Sequence, residues 1–272
     1  MESLKAKTLV YDANCPMCSW YTGEMVEKGL IEKEGRISFE ELPPEKRSML
    51  DMNRARHEIP MIDNATGELL YGLDALTLVI GNSYKFLQLI ITQNWFKALL
   101  RPLYNFISYN RRIIAGSRSE PVGAVSFAPD FSIKWRMALI GAGFAYTALS
   151  IYLFAMLMAI NPLILLGCVT LYFLVLLTFD LKKNETGTHQ LDYVAHLAVL
   201  GFIEGTLFII TALLAKLTGL TGLMFAGQGA GRLLAIGLHI KRVKNNHYAK
   251  SLNYVFAAGA VGLIVIIAIF KS

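Results

Sequence analysis

Five long apolar segments fill the second half of the chain and restrict its fold more than any other feature. They cover residues 137–160, 163–179, 193–215, 217–240 and 252–270. Each is close to the length of about 20 residues that a helix needs to cross the hydrocarbon core of a bilayer. Buried helices of a soluble protein can be equally apolar, but five in succession are typical of a membrane protein. The sequence therefore predicts an all-α transmembrane helical bundle of about five helices over residues 135–272.

The charged residues are divided unequally between the two halves of the chain. Residues 1–134 hold 16 Lys and Arg against 16 Asp and Glu, whereas residues 135–272 hold 10 against 4. The apolar half therefore carries the whole net charge of +6. Because this excess lies between apolar segments rather than on a soluble surface, it argues against nucleic-acid binding and indicates membrane topology. The densely charged first half predicts a separate soluble domain.

The loops between the apolar segments predict the orientation of the protein. With five spans, one side of the membrane carries only Lys216 and Lys271, and the other side carries the remaining basic residues near the spans. Basic loops stay in the cytoplasm, so we expect a multi-pass membrane protein with a cytoplasmic N-terminal domain. The first residues lack the apolar stretch of a secretory signal, in agreement with this expectation. The predicted cytoplasmic basic residues are Lys134, Arg136, Lys182, Lys183, Lys241, Arg242, Lys244 and Lys250.

The first half of the chain alternates between strand and helix patterns. Strand residues alternate between apolar and polar, and helical segments repeat their apolar residues every three or four positions. The predicted order is β-α-β-α-β-β-α, and the motif Cys-Pro-Met-Cys lies at the first strand-to-helix junction. The strands are predicted at 7–12, 36–42, 61–63 and 68–71, and the helices at 16–30, after Pro43–Pro44, and from position 72 onward.

This order of elements, with CxxC at that junction, resembles the thioredoxin fold in its small, glutaredoxin-like form. The segment YDANCPMC matches the Asp-x-x-Cys-x-x-Cys signature of the DCC family of thiol-disulfide oxidoreductases. The later segment RPLYNFISYNRRIIAG looks like the C-terminal helix of that family. The resemblance covers about residues 7–116. It implies an α/β thioredoxin-like DCC domain at residues 1–116, joined by a linker at 117–134 to the membrane domain.

The chemistry expected of Cys15 and Cys18 is thiol-disulfide exchange. A cysteine at a helix N-terminus in a CxxC pair has its pKa lowered from about 8.5, because unpaired amides and the helix dipole favour the thiolate. We expect Cys15 to be the exposed nucleophile, and Cys18, one turn later, to be more buried and to resolve the mixed disulfide. The pair is the redox centre, so no further cofactor is predicted.

Other residues near the motif have two interpretations each. Asp12, the acidic residue of the family signature, could accept a proton from Cys18 or cap the loop before the helix. Ile59–Pro60 lies where the resembled fold carries a cis-proline facing the CxxC motif. Gly72 and Asp74 lie where glutaredoxin-like domains contact a substrate backbone, and Asp74 is equally suited to cap the third helix.

A metal site and a structural disulfide are both disfavoured by the sequence. A structural zinc site needs four ligands, and no second CxxC pair is present. The third cysteine, Cys168, lies inside a predicted span. A purely structural disulfide is uncommon on the cytoplasmic side, where thiols are kept reduced. A chemically idle cysteine pair stays open as an alternative.

Polar residues inside the predicted spans form two groups. Glu204 and Arg232 have depths in neighbouring antiparallel spans that allow them to pair, with Gln228 one turn further out. This group is either a structural pair or a site for a proton, a quinone or a substrate. The second group lies at the cytoplasmic span ends and is either a metal or quinone site or merely interfacial; it contains His189, Asp192, His196 and His239.

The sequence thus predicts a membrane-anchored oxidoreductase that exchanges or reduces disulfides through its CPMC dithiol. Its partners would be a disulfide-containing protein or a low-molecular-weight thiol, together with the lipid bilayer. One alternative is a membrane transporter or binding protein with a regulatory, redox-sensing domain. A second is a scaffold whose N-terminal domain binds a partner without electron transfer.

Overall fold

The computed structural model describes residues 3–118, 126–157, 159–181, 187–245, 248 and 250–271. The chain divides into two compact units, Met1–Trp135 and Arg136–Ser272. Two of the predicted cytoplasmic basic residues, Lys182 and Lys183, lie outside the described residues. Part of the predicted linker, residues 119–125, also lies outside them.

A four-stranded mixed sheet forms the centre of the first unit. The spatial order is β2-β1-β3-β4, with β1 parallel to β2 and antiparallel to β3, and with β3 antiparallel to β4. The central strand β1 is buried on both faces, because Leu9 and Val10 point to opposite sides of the pleat. The strands are β1 (Lys7–Tyr11), β2 (Arg36–Ser38), β3 (Pro60–Asp63) and β4 (Leu69–Tyr71).

Helices of the first unit pack on the two faces of this sheet. On one face Leu9 and Met61 pack with residues of α1 and α4, and on the other Val10 and Ile62 pack with residues of the β2–α2 region. The helices are α1 (Pro16–Glu27), α2 (Pro44–Met49), α3 (Met52–Ala55), α4 (Leu73–Ser83), α5 (Lys85–Ile91) and α6 (Asn94–Ile114).

The order of strands and helices follows the predicted one, with two local differences. The second strand ends at Ser38 rather than at residue 42, because the chain turns there. The Ser38 hydroxyl donates to the Glu41 carboxylate at 2.8 Å, and the Glu41 N–H donates to the Ser38 carbonyl oxygen at 3.2 Å. The second predicted helix is divided into α2 and α3 at Leu50, whose backbone is extended.

The described end of the predicted linker packs on the first unit. The Phe127 ring stacks on the Phe39 ring with a centroid distance of 4.4 Å. The Asp130 carboxylate accepts from Arg56 at 3.2 Å and lies 3.0 Å from Nε2 of His57. These contacts tie residues 127–130 to the sheet and to α3.

The second unit is mostly helical. Among the described residues, α7 and α9 are long and apolar enough to cross a membrane, and the apolar part of α8, Pro162–Thr178, is shorter. The boundary between the third and fourth helices differs from the prediction, which placed it at residue 216. In the structure α9 continues to Thr218, and α10 begins at Gly222. The helices are α7 (Ile133–Leu157), α8 (Pro162–Leu181), α9 (Gly187–Thr218), α10 (Gly222–Asn245) and α11 (Ser251–Lys271).

Small residues bring α7 and α9 into close contact. A Cβ atom added at Gly143 would lie 2.8 Å from Cβ of Ala198 and 3.0 Å from the Ala198 carbonyl oxygen. A Cβ atom added at Gly205 would lie 2.4 Å from the Ser150 hydroxyl oxygen. Such small-residue contacts are how helices in membranes approach each other closely. The two candidate membrane helices are therefore packed on each other through this seam.

We predict that Gly143→Ala destabilises the protein, because the backbone of α9 leaves no room for the added methyl group. Overpacking of this kind costs about 1–3 kcal/mol. Gly141, on the same helix, has nothing within 4 Å of an added Cβ, so Gly141→Ala is the matched control and should leave stability unchanged or higher. Thermal unfolding of the purified chain in detergent measures both. Equal unfolding temperatures for the two variants would contradict the close contact of α7 and α9 at Gly143.

Candidate active site

The CxxC cysteines lie at the start of α1, directly after β1 and a short loop. Cys15 is the N-cap residue, and its Sγ atom accepts a hydrogen bond from the backbone N–H of Cys18 at 3.4 Å. Pro16 occupies the first helical position, where a missing N–H removes no helical hydrogen bond. The Cys15 sulfur therefore faces the unpaired amides of the first turn, at the positive end of the helix dipole.

Hydrogen bonds from Cys18 lower the pKa of Cys15 to about 7, the thiol of Cys18 contributing most. The backbone N–H of Cys18 and the Arg111 charge also lower it, whereas burial and the Asp12 charge raise it. The same hydrogen bond to Cys15, together with burial, raises the pKa of Cys18 well above its ordinary range. At neutral pH the pair therefore contains one sulfur that ionises readily and one that keeps its proton.

The prediction that Cys15 is exposed is wrong. Cys15 is 0% exposed and Cys18 is 7% exposed, so both thiols are buried. The chain that follows α6 returns to the loop before Cys15. The Arg118 N–H donates to the Asn14 carbonyl oxygen at 2.9 Å, and the Arg118 guanidinium donates to the Ala13 carbonyl oxygen at 3.4 Å. Arg118 thus contacts the loop before the motif from a part of the chain that local sequence patterns do not connect to it.

Asp12 joins the CxxC loop to the end of α6. The residue is 2% exposed. Its carboxylate accepts hydrogen bonds from Arg112 Nη2 at 2.9 Å and Nε at 3.1 Å, from Arg111 Nη2 at 3.3 Å, and from the Asn14 N–H at 3.0 Å. The backbone carbonyl oxygen of Asp12 accepts from the Cys15 N–H at 3.1 Å. Both carboxylate oxygens are thus engaged in holding the loop that presents Cys15.

Arg111 and Arg112 are residues that the sequence reasoning did not assign to the site. Arg111 also donates to the Arg56 carbonyl oxygen at 2.6 Å and to the Phe127 carbonyl oxygen at 2.7 Å. The available signal was an adjacent pair of arginines near the C-terminal end of an amphipathic helix.

The predicted substrate-contact residues lie together at the start of β3 and α4. The Ile59–Pro60 peptide bond is trans, so the predicted cis bond is wrong; the trans isomer is preferred by most X–Pro bonds. The Ile59 N–H donates to the Tyr104 hydroxyl at 3.0 Å, and the Ile59 carbonyl oxygen accepts from the Gly72 N–H at 2.9 Å.

The N-cap of α4 differs from the predicted one. Gly72 is the N-cap residue, with a φ of +59° that favours glycine, and no side chain caps the helix. Asp74 lies within the first turn and accepts from the Lys97 ammonium group at 2.6 Å. The interpretation of Asp74 as the cap is therefore wrong, because the chain enters the helix two residues earlier.

A cavity of about 340 Å³ lies beside the Cys18 thiol. Its lining is mainly apolar and includes the side chains of Cys18, Tyr21, Ile59, Tyr104 and Ile107. Burial raises the pKa of Tyr21 and of Tyr104, so both phenols are neutral at physiological pH. Cys18 therefore adjoins a partly open, mainly apolar space into which hydroxyl-bearing side chains also reach.

Residues 9–117 match the family model of the DCC1-like thiol-disulfide oxidoreductases. They form a DCC1-like thiol-disulfide oxidoreductase domain. The matched range begins in β1 and ends just after α6, so it contains both cysteines, Asp12 and the two arginines. No curated protein and no solved structure matches the chain.

The second unit contains the polar residues that the sequence placed inside the predicted spans. Arg232 Nη2 lies 3.1 Å from Glu204 Oε2. These two residues and Gln228 line one cavity of about 70 Å³, together with hydroxyl-bearing side chains such as Tyr172.

The three described histidines of the second unit, His189, His196 and His239, lie in a separate region. The rings of His196 and His239 have a centroid distance of 5.8 Å, and His239 Nε2 lies 3.1 Å from the Tyr193 hydroxyl. His189 contacts the Tyr248 ring, and Asp192 pairs with Arg136 at 2.8 Å. Within the described part of the chain, no group of three or more His, Cys, Asp or Glu residues could hold a metal ion.

We predict that Asp12→Asn destabilises the DCC1-like domain, because it leaves two arginines near a buried site without their counter-charge. Removing one partner of a buried ion pair costs about 3–5 kcal/mol. Asp130 also contacts two basic residues, but its side chain is 58% exposed. Asp130→Asn is therefore the matched control, with an expected cost of at most about 1 kcal/mol. Thermal unfolding measures the stability of both variants. An equal loss of stability in Asp12→Asn and Asp130→Asn would contradict the role of Asp12.

We also predict that Cys15 is alkylated by iodoacetamide with a midpoint near pH 7. Below this midpoint the rate should fall by about tenfold per pH unit, because only the thiolate reacts. Measurement in a Cys168→Ser background restricts the signal to the motif. Cys18→Ala removes the main hydrogen-bond donor and should move the midpoint to higher pH. A midpoint that stays the same in this variant would contradict the assigned cause.

Proposed function

We propose that the chain is a membrane-anchored oxidoreductase that reduces or exchanges disulfides through Cys15 and Cys18. The observation that carries this proposal is the Cys15 sulfur at the N-cap of α1, hydrogen-bonded by Cys18, with its pKa lowered to about 7. The family match over residues 9–117 supports a redox role for the same part of the chain. The proposed site needs no metal and no cofactor besides the dithiol.

The first proposed step is attack by the Cys15 thiolate on a substrate disulfide. A new bond forms between Cys15 and one substrate sulfur, the substrate S–S bond breaks, and the second substrate sulfur leaves as a thiolate that takes a proton from water. A thiol with a pKa near ambient pH combines a useful thiolate fraction with good nucleophilicity. The positive end of α1 stabilises this thiolate before attack.

The second proposed step resolves the mixed disulfide. Cys18 loses its proton and attacks Sγ of Cys15, so that the Cys15–Cys18 disulfide forms and the remaining substrate sulfur leaves as a thiolate. Two electrons have then passed from the dithiol to the substrate. The raised pKa of Cys18 is due first to its hydrogen bond with the Cys15 sulfur. When Cys15 is consumed in the mixed disulfide, this contribution disappears and Cys18 ionises more easily.

Asp12 acts in this proposal as a positioning residue. Its two carboxylate oxygens accept hydrogen bonds from Arg111, Arg112 and the loop N–H of Asn14, which supports the capping role rather than proton transfer from Cys18. Since the Cys15 sulfur is fully buried, access of a substrate to it requires a local opening of the structure around the motif. A disulfide-containing protein or a low-molecular-weight disulfide is the proposed oxidant, and a low-molecular-weight thiol regenerates the dithiol.

The proposed architecture is a thioredoxin-like domain followed by a bundle of five membrane-spanning helices. The sheet order β2-β1-β3-β4, with the CxxC motif after β1, supports the first part. The apolar helices α7 and α9 support the second. The basic residues near the spans favour a cytoplasmic location of the redox domain.

We predict that the Cys15–Cys18 pair titrates as a dithiol in glutathione buffers. In the purified Cys168→Ser chain, alkylation and mass analysis should find two free thiols at reducing potentials and none at oxidising ones. Cys15→Ser should abolish disulfide reduction, whereas Cys18→Ser should accumulate mixed disulfides with substrate proteins. The Cys15→Ser/Cys18→Ser double variant is the trapping control. Absence of an intramolecular disulfide at every potential would overturn the proposal.

The second candidate function is a membrane transporter or binding protein with a redox-sensing N-terminal domain. The observation that favours it is the pair Glu204–Arg232, which with Gln228 lines a cavity inside the second unit. Ionisable groups in membrane helices commonly mark substrate or proton paths. Comparison of Glu204→Gln with Cys15→Ser during growth under disulfide stress separates the two functions. The variant with the larger loss identifies the part of the protein that carries the activity.

A further inference from the structure

The two helices α5 and α6 belong to a stretch without any acidic residue. Residues 75–118 contain Lys85, Lys97, Arg101, Arg111, Arg112 and Arg118, whereas residues 1–74 contain 14 acidic and 9 basic residues. The positive charge of the first unit is therefore concentrated in this part of its sequence.

An apolar face on these helices is exposed. This face contains four side chains of α6, spaced four residues apart, and three side chains of the preceding helix α5. We call this surface the α5–α6 face; its exposed fractions are Trp95 62%, Leu99 68%, Leu103 55%, Ile107 38%, Phe86 72%, Leu89 76% and Ile90 48%.

The opposite side of α6 packs on the domain. Ser108 donates to the His57 carbonyl oxygen, and Ile113 is buried. The helix is therefore anchored by one side, and the apolar residues of the other side are not needed for its core. Contiguous exposed apolar surface of this kind marks a protein or membrane contact.

The residue types favour a bilayer as the occupant. An amphipathic helix that lies in a membrane interface combines Trp, Phe and Leu on one face with Lys and Arg on the other. Trp95 is an aromatic residue of the kind that settles at headgroup depth. Lys85 and Arg101 are exposed beside the apolar side chains, where their ammonium and guanidinium groups can reach lipid phosphates. The absence of carboxylates from residues 75–118 complements an anionic surface.

We propose that the α5–α6 face lies in the interfacial region of the bilayer and binds anionic lipid there. The proposal rests on the membrane attachment described under Proposed function, and it is independent of the redox activity. Docking through this face would give the protein a membrane contact in addition to that made by the helices of the second unit. Because Ile107 also lines the cavity next to Cys18, this contact borders the candidate active site.

The test places a fluorophore on the face in the full-length chain. In a background with all three cysteines changed to Ser, Leu99→Cys is labelled with an environment-sensitive dye. Ser48→Cys on α2, which is also exposed, is the matched control. Both proteins are reconstituted in vesicles of phosphatidylcholine with or without phosphatidylglycerol, some containing nitroxide-labelled lipid. Since this background has no thiol chemistry, the result does not depend on the dithiol mechanism.

We predict several-fold stronger quenching by nitroxide lipid at position 99 than at position 48. The difference should increase with phosphatidylglycerol, decrease with salt, and decrease in Arg101→Glu. Equal quenching at both positions would overturn the proposal. Protection from aqueous iodide without lipid quenching would also overturn it, because a second copy or another protein surface would then cover the face. The native Trp95 in a Trp20→Phe/Trp135→Phe chain gives an independent measurement with the cysteines intact.

Discussion

The ion pairs of Asp12 with Arg111 and Arg112 connect parts of the chain that are 99 and 100 residues apart. They fix the loop before Cys15 against the C-terminal end of α6. Arg111 extends the connection to the Arg56 and Phe127 carbonyl oxygens, so four segments meet at one guanidinium group. Buried charges persist only when paired and hydrogen-bonded, and here the Asp12 carboxylate is paired with both guanidinium groups. The position of the CxxC motif therefore depends on a contact that forms only in the complete domain.

The lowered pKa of Cys15 comes mainly from its partner in the motif. The hydrogen bond from the Cys18 thiol is the largest contribution that lowers the pKa of Cys15. The Cys18 N–H and the Arg111 charge lower it as well, whereas burial and the Asp12 charge raise it. The ion pairs with Asp12 hold the loop, and the first turn of α1 supplies hydrogen bonds to the sulfur. A thiol held in this way can be completely buried and still keep its pKa near neutrality.

Short-range signals in the sequence predicted the elements and the motif but not the tertiary contacts around them. The strand β1, the N-cap position of Cys15 and the order of strands follow from alternation, helical spacing and proline placement. The burial of Cys15 and the pairing of Asp12 with α6 depend on the tertiary fold, so neither is readable within the motif itself. The trans Ile59–Pro60 bond and the Gly72 cap differ from the expectations. The cis bond was expected from the resemblance and the Asp74 cap from residue preference, whereas the backbone geometry of the folded chain decides both.

The helix α6 carries both an exposed apolar stripe and the arginines that hold the CxxC loop. Its C-terminal end holds Asp12 through Arg111 and Arg112, and its N-terminal two-thirds carries the stripe from Trp95 to Ile107. Pro102 lies inside the helix, where a proline removes one backbone hydrogen bond and allows a bend. In the proposed lipid contact, a displacement of the N-terminal part of α6 would therefore be absorbed at Pro102, while the ion pairs with Asp12 keep the C-terminal part and the CxxC loop in place.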